Sequence, residues 1–235
     1  MDAIILAGGF GTRLKTISKG VPKSLMPIGN KVFLDILIDR LIFSKIDNIY
    51  LSLHYKSELF INYISHNNKK KKLIPIIEPK PLGTGGGINY VVNNSSISEC
   101  FFVINGDTFS NINYDMMNEA YATSNYDCMV GISFVNNCSR FGKINFNNNQ
   151  LIGFDEKSSY SKGWINNGIY IMNKQIFRGF KGNFSLEHDV FPKFINEKKV
   201  GIFKVLNDNF FDIGIPNDYK ELYKQLAQGV RNERV

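Results

Sequence analysis

The sequence predicts an α/β fold: a doubly wound, mixed but mostly parallel sheet that gives way to antiparallel strands in the second half of the chain. Three observations carry this expectation. Apolar runs at residues 3–6, 49–53, 73–77 and 101–104 alternate with segments of helical spacing, the order of strands and crossover helices in a parallel sheet. These runs are almost continuously apolar, as strands buried on both faces are. Beyond residue 124 the pattern changes to short strands separated by polar turns, which suits antiparallel pairing.

Residues 3–6 form the first strand. It leads into Leu6-Ala7-Gly8-Gly9-Phe10-Gly11-Thr12-Arg13-Leu14, with Pro22-Lys23 further on. The glycines let the backbone turn sharply and leave its N–H groups uncovered. At the C-terminal edge of a parallel sheet such groups are a ready site for phosphate, and Arg13 and Lys23 add cationic donors at both ends of the loop. Residues 33–43 carry Leu34, Leu37, Ile38, Leu41 and Ile42 at helical spacing. After the strand at 49–53, Ser57 is placed to cap a helix whose inner face holds Leu59, Phe60, Tyr63 and Ile64.

The third strand, 73–77, ends at Glu78-Pro79-Lys80-Pro81, where the prolines force a loop. Gly83-Thr84-Gly85-Gly86-Gly87 extends that loop into a helix over 88–92. The fourth strand, 101–104, runs into Asn105-Gly106-Asp107 and then a helix over roughly 114–124. Strands follow at 129–135, 143–146 and 151–155, the last two joined by Asn147-Asn148-Asn149, residues that tolerate tight turns. A strand at 169–172 and helices at 187–196 and 217–228 complete the chain. No repeat or linker interrupts it, so one domain is expected over 1–235. Its first half, 1–124, binds a nucleotide; its mixed second half, 125–235, lies over the sheet and receives another substrate.

Bulk properties narrow the function. A hydrophobic content of 43% supports a sizeable core. No apolar run approaches the roughly 18 residues of a membrane span, and the chain enters its first strand without a basic, apolar leader. Cys100, Cys128 and Cys138 show no metal-ligand spacing and cannot all pair. A cytoplasmic protein without membrane attachment is the expectation. The net charge of +7 admits nucleic acid as a partner, but no stacking motif or recognition helix supports it. A Lys- and Asn-rich composition explains the charge more simply, and Lys69-Lys70-Lys71-Lys72 reads as a solvated loop.

The phosphate loop can be sorted by what it lacks. A Walker A loop ends in Gly-Lys-Ser/Thr, whereas this one ends Gly11-Thr12-Arg13-Leu14. A dinucleotide fingerprint needs a third glycine where Leu14 stands and an acidic residue after the second strand, and Leu53-His54-Tyr55 supplies none. What remains is a cationic glycine loop with two acids downstream, Asp107 and Asp212, each ending an apolar run. Either alone reads as a turn residue. Facing the same sheet edge, they can share one Mg²⁺, which favours one or two carboxylates plus substrate phosphates.

These residues resemble the signature of sugar-1-phosphate nucleotidylyltransferases. The likeness runs through LAGGFGTRL with Lys23 ten positions beyond Arg13, then EPKPLGTGGG, NGD at 105–107, FDEK at 154–157, NNGIY at 166–170 and FFDIGIP at 210–216. Six blocks in one order cover most of the chain. PLGTGG and the short length look most like the bacterial D-glycero-α-D-manno-heptose 1-phosphate guanylyltransferases; mannose-1-phosphate guanylyltransferases and short uridylyl- or thymidylyltransferases are similar. Gly85 stands where the family usually has alanine. Many members continue into a left-handed β-helix, for which the roughly twenty residues after Gly214 leave no room. A non-catalytic regulatory subunit is the alternative outside enzymes, but such members usually lack the Lys or Asp retained here.

The resemblance implies a GT-A-like, Rossmann-like nucleotidyltransferase fold with an antiparallel sugar-binding subregion. It also implies that a sugar 1-phosphate attacks the α-phosphorus of a nucleoside triphosphate in line. Leu6, Ala7, Gly8, Gly9, Gly11, Thr12, Arg13, Lys23, Glu78, Gly83 and Thr84 then bind the nucleotide. Arg13 grips the β- and γ-phosphates, Lys23 neutralises the reacting phosphate, and Asp107 and Asp212 hold Mg²⁺. Glu156 and Lys157 match the acceptor pair for sugar hydroxyls and phosphate, Asn167 offers its amide to the sugar, and Gly168 keeps the backbone close. Glu187 matches an acceptor-site position, although Ser185-x-Glu187 equally suits a helix start. Glu78 faces the base by family position. A carboxylate accepts from the adjacent N–H groups of guanine and is repelled by the carbonyls of uracil; the competing reading leaves Glu78 as a solvated strand end. The partners expected are GTP and a sugar 1-phosphate, with no nucleic acid and no membrane, and a homo-oligomer left open.

Overall fold

The computed structural model describes residues 1–9, 20–44, 46–66, 73–155, 162–206 and 208–232, with side chains described as far as 226. In chain order the strands are β1 (Asp2–Leu6), β2 (Pro27–Ile28), β3 (Lys31–Val32), β4 (Ile49–Leu53), β5 (Leu73–Ile77), β6 (Cys100–Asn105) and β7 (Thr108–Phe109). They continue as β8 (Cys128–Val135), β9 (Ile144–Asn147), β10 (Gln150–Phe154), β11 (Gly163–Asn173), β12 (Val200–Val205) and β13 (Phe211–Asp212). The α-helices are α1 (Phe33–Phe43), α2 (Ser57–His66), α3 (Gly83–Asn93), α4 (Tyr114–Ala122), α5 (Phe191–Asn196) and α6 (Pro216–Asn232).

Nine strands form one sheet in the order β5-β4-β1-β6-β11-β8-β12-β10-β9. The first four are parallel, as their apolar runs predict. Ala3 and Ile5 point to one face, where they join Leu34, Leu37 and Leu41 of α1 and Met117 of α4. Ile4 and Val103 point to the other, with Ile88 and Val91 of α3 and Phe191 of α5. The two-residue period of a strand thus feeds two cores, and helices cover both faces of the parallel part.

The second half departs from one expectation. Its strands do not lie over the sheet; they extend it edgewise. β11 runs antiparallel to both β6 and β8, β12 runs parallel to β8, and β10 and β9 finish the edge. The open backbone edge of β6 requires a partner. In β11, Ile169, Ile171 and Met172 are buried, so this strand behaves as a central one.

A second correction concerns the glycines after β5. The sequence suggested a loop running up to residue 88, but helix α3 begins at Gly83. The glycines are there for contact, not for looseness. A Cβ on Gly85 would lie 2.5 Å from the Phe184 ring, one on Gly86 2.6 Å from the Gly182 carbonyl oxygen, and one on Gly87 2.8 Å from Glu78 Oε1. Close approach of neighbouring chain outweighs the roughly 1 kcal/mol of helix propensity that each glycine gives up.

The same reasoning predicts the outcome of Gly86→Ala. Helix propensity alone favours alanine by about 0.8–1 kcal/mol, whereas overpacking against a backbone oxygen costs about 1–3 kcal/mol. A net destabilisation is expected, read as a lower denaturation midpoint; a raised midpoint would show that the 182–184 segment yields.

Candidate functional site

The C-terminal ends of β1, β4, β5 and β6 converge on one cavity of about 350 Å³. This is where open α/β sheets place their ligands. Leu6, Ala7, Gly8, Gly9, Lys23, Glu78, Gly83 and Thr84 all line it, together with Ser52, His54, Asn105 and Asp107. The structure therefore brings together the expected nucleotide-binding residues that it describes. Gly11, Thr12, Arg13, Glu156 and Lys157 lie outside the described residues.

Glu78 forms one end of the cavity. It is 8% exposed, which removes the reading of a solvated strand end. Ser52 Oγ donates to its Oε1 at 2.6 Å, and the Leu82 N–H donates to Oε2 at 3.3 Å. His54 Nδ1 donates to the Glu78 carbonyl at 3.1 Å. The carboxylate is held in one orientation, with lone pairs left on each oxygen. Ser52 was missed from sequence, yet a serine inside Ile49-Tyr50-Leu51-Ser52-Leu53 was itself a signal: a buried hydroxyl in an apolar strand needs a partner.

Beside Glu78, Gly83 takes φ +74°, and a Cβ there would meet the Phe184 carbonyl oxygen at 2.6 Å. Thr84 Oγ1 donates to Glu187 Oε2 at 2.8 Å and accepts the Leu186 N–H at 2.9 Å. Ser185 caps the short Leu186–Val190 helix by accepting from the Glu187 and His188 N–H groups. Glu187 thus sits at a helix start, as one reading had it, and its carboxylate also reaches the cavity wall at Thr84.

The opposite end gathers charge. Lys23, on the short helix Lys23–Leu25, lies 2.8 Å from Asp107 Oδ2. Asp107 precedes β7, which pairs with β13 so that Thr108 faces Asp212 and the Ile213 N–H donates to the Asp107 carbonyl at 2.9 Å. Asp212 Oδ1 accepts from the Gly214 N–H at 2.7 Å, while its own N–H donates to Asp218 Oδ2. Burial pushes the Asp212 pKa up, and the neighbouring Asp107 charge pushes it further; the Gly214 N–H and the Lys23 ammonium pull against them.

This end suits a hard divalent cation. Its donors are two carboxylates in mutual repulsion, the kind of oxygen set that Mg²⁺ uses with substrate phosphates. Among the described residues there is no group of three or more His, Cys, Asp or Glu side chains able to hold a metal by itself. A cation here would depend on ligand oxygens to complete its shell.

Asn167 is not placed as expected. Its side chain is 0% exposed, with Nδ2 donating to Ser133 Oγ at 3.1 Å and Ser110 Oγ at 3.3 Å. Its Oδ1 accepts the Ile169 N–H at 3.1 Å. The amide is spent inside the fold, so the direct sugar contact gives way to a supporting role. Successive side chains of a strand face opposite sides, and in β11 Asn167 takes the buried one; β11 also shifts register against β8 between Asn166 and Tyr170. Asn166, half-buried, is the neighbour left nearer the surface. Gly168 does keep the backbone close: at φ +79°, a Cβ would lie 2.6 Å from Asn105 Nδ2.

Comparison with known proteins shows the family. The nucleotidyl transferase family model matches residues 2–229. D-glycero-α-D-manno-heptose 1-phosphate guanylyltransferase of Aneurinibacillus thermoaerophilus is 35% identical over 96% of this chain and 98% of its own. The enzyme of the same name from Campylobacter jejuni is 34% identical over 93% of this chain and 97% of its own. Among solved structures, HddC from Yersinia pseudotuberculosis complexed with GMP-PN superposes with a TM-score of 0.84 at 34% identity, covering 96% of this chain and 99% of that one. The inositol-1-phosphate CTP transferase from T. maritima shares the fold at a TM-score of 0.75 and 20% identity, over 97% of this chain and 96% of its own. Matched over nearly its whole length, and with residues 6–9, Lys23 and Asp107 gathered at one sheet edge, the chain belongs to the nucleotidyl transferase family.

Proposed function

We propose that this protein transfers GMP from GTP to a sugar 1-phosphate and releases pyrophosphate. The acceptor we favour is D-glycero-α-D-manno-heptose 1-phosphate, giving GDP-heptose as a precursor of surface polysaccharide. The observation that carries the reading is the polarity of the cavity: a fixed, buried carboxylate at one end and the Lys23–Asp107 pair at the other, with Asp212 adjoining Asp107 beyond the cavity wall. The two heptose relatives support the sugar, because they match this chain over nearly their full lengths. A mannose-1-phosphate guanyltransferase from Sulfolobus acidocaldarius is 28% identical, and this chain spans 63% of it. Three free thiols, at Cys100, Cys128 and Cys138, support a reducing, cytoplasmic setting. No helix among the described residues is long and apolar enough to cross a membrane.

In the reaction, an oxygen of the sugar phosphate forms a new bond to the α-phosphorus as the bond to the bridging oxygen of pyrophosphate breaks. Such a transfer needs alignment and charge neutralisation more than acid–base groups. Lys23 sits where the α-phosphate enters the Asp107 end and offsets its charge. Arg13 takes the charge that grows on pyrophosphate, using its forked guanidinium. Glu78 accepts from the guanine N1–H and N2–H₂, held for that purpose by Ser52 and the Leu82 N–H. Glu156 and Lys157 receive the acceptor. Asp107 and Asp212 would hold Mg²⁺, which when bound neutralises the two phosphates and lets them approach.

Three outcomes test this. Pyrophosphate release, measured with each of four nucleoside triphosphates against hexose and heptose 1-phosphates, is expected only with GTP and fastest with the heptose; no turnover with any pair would defeat the proposal. Glu78→Gln replaces one acceptor by a donor and is expected to cut the preference for GTP over UTP by about tenfold or more. Unchanged selectivity would remove Glu78 from base recognition. Asp212→Asn is expected to lower turnover by about 10²-fold or more without lowering the melting temperature of metal-free protein at neutral pH. The sign follows from the raised pKa: stability from this carboxyl is present below the ordinary aspartate range and lost as pH rises through its raised value. Asn carries no such charge.

A further inference from the structure

The place of Asp212 depends on a very short ladder. β7 and β13 contribute two residues each, Thr108 opposite Asp212 and Phe109 opposite Phe211. Two strands of this length are not stable by themselves. A slip of one residue would turn Asp212 to the other face, away from Asp107. The Phe109–Phe211 ring contact, at 6.4 Å between centroids, helps to hold the strands together, but apolar packing is not directional and does not choose a register.

A directional clamp lies one step beyond the ladder. Asp208 Oδ1 accepts the Asn111 N–H at 2.6 Å, and its Oδ2 accepts from Ser110 Oγ at 2.6 Å and from Ser133 Oγ. Both hydroxyls in turn accept from Asn167 Nδ2, and the Asn167 carbonyl accepts from Thr108 Oγ1 at 3.1 Å. The hydrogens in this network have one consistent direction. The Asn167 amide nitrogen only donates, so each serine spends its own hydrogen on the next group, and that group must be an acceptor. A carboxylate satisfies this at both oxygens; an amide cannot.

We propose that Asp208 is a positioning residue that pins the register of β13 against β7 and thereby holds Asp212 beside Asp107. The inference rests on the proposed role of those two carboxylates in holding a divalent cation. It gives Asp208 a task in metal and acceptor handling without contact with either substrate. It also gives the buried Asn167 its function: to orient the two serines that meet Asp208.

The test is Asp208→Asn in the full chain, read in two ways. Mn²⁺ titration followed by electron paramagnetic resonance, in the presence of GMP-PN, is expected to show metal affinity at least fivefold weaker, with metal-free binding of GMP-PN within twofold of the parent. Steady-state assays are expected to show kcat at least tenfold lower and half-saturating Mg²⁺ at least fivefold higher, with the KM for GTP within threefold. Ser133→Ala, which removes one hydroxyl and little volume, is expected to shift both readouts the same way by a smaller factor, and it carries the test should Asp208→Asn fail to fold. Parent-like metal affinity in the folded variants would overturn the proposal, as would a loss of metal-free nucleotide binding equal to the loss of metal binding. A parent chain that turns over no sugar 1-phosphate would defeat the functional reading, while the Mn²⁺ titration would still decide the role of Asp208.

Discussion

Two carboxylates held side by side against their own repulsion are the constraint on which the rest of this structure turns. Asp107 and Asp212 come from segments far apart in the chain, and bringing them together costs electrostatic energy that burial of Asp212 increases. The surroundings offset it. Lys23 bonds to Asp107, and the Gly214 N–H bonds to Asp212. A Cβ on Gly214 would lie 2.6 Å from Lys23 Nζ, so a side chain there would displace the cation that stabilises the pair. Gly106 is tied to β1 by its N–H to the Leu6 carbonyl and to Ser24 through its own carbonyl. The cluster therefore inherits its position from β1, an interior strand of the sheet.

The cavity separates two kinds of group along the sheet edge. Charged groups gather near β6 and β7, and a single buried carboxylate, Glu78, is held by Ser52 and Leu82 near β4 and β5. The CTP transferase from T. maritima shares the architecture, and architecture alone does not choose a base.

Much of this was legible from residue order because it rests on local rules. Apolar runs announced the parallel strands, and the helix spacing of Leu34, Leu37, Ile38 and Leu41 announced α1. The loop after β1 was told apart from a Walker A loop and a dinucleotide fingerprint by its absent Gly-Lys-Ser/Thr ending and absent third glycine. Where reading failed, long-range packing had overruled local preference. Gly85, Gly86 and Gly87 looked like loop and proved to be helix, since their small size serves Phe184, Gly182 and Glu78. Asn167 looked like a ligand residue, but its amide is buried and bonded to Ser110, Ser133 and the Ile169 N–H, partners that no local pattern announces. Asp208, between two asparagines, gave no local signal at all.

By itself the sequence determined the α/β class and the first four strands, because periodicity and turn residues are written in short stretches of chain, and its motif blocks pointed to the family. Only the tertiary structure decided which residues meet. It joined the second half to the same sheet, buried Glu78 against Ser52, turned Asn167 inward and set Asp212 opposite Thr108. These are consequences of strand order and register, properties of pairs of segments up to about a hundred residues apart. A period of two or 3.6 residues carries no information about which distant strand will lie alongside.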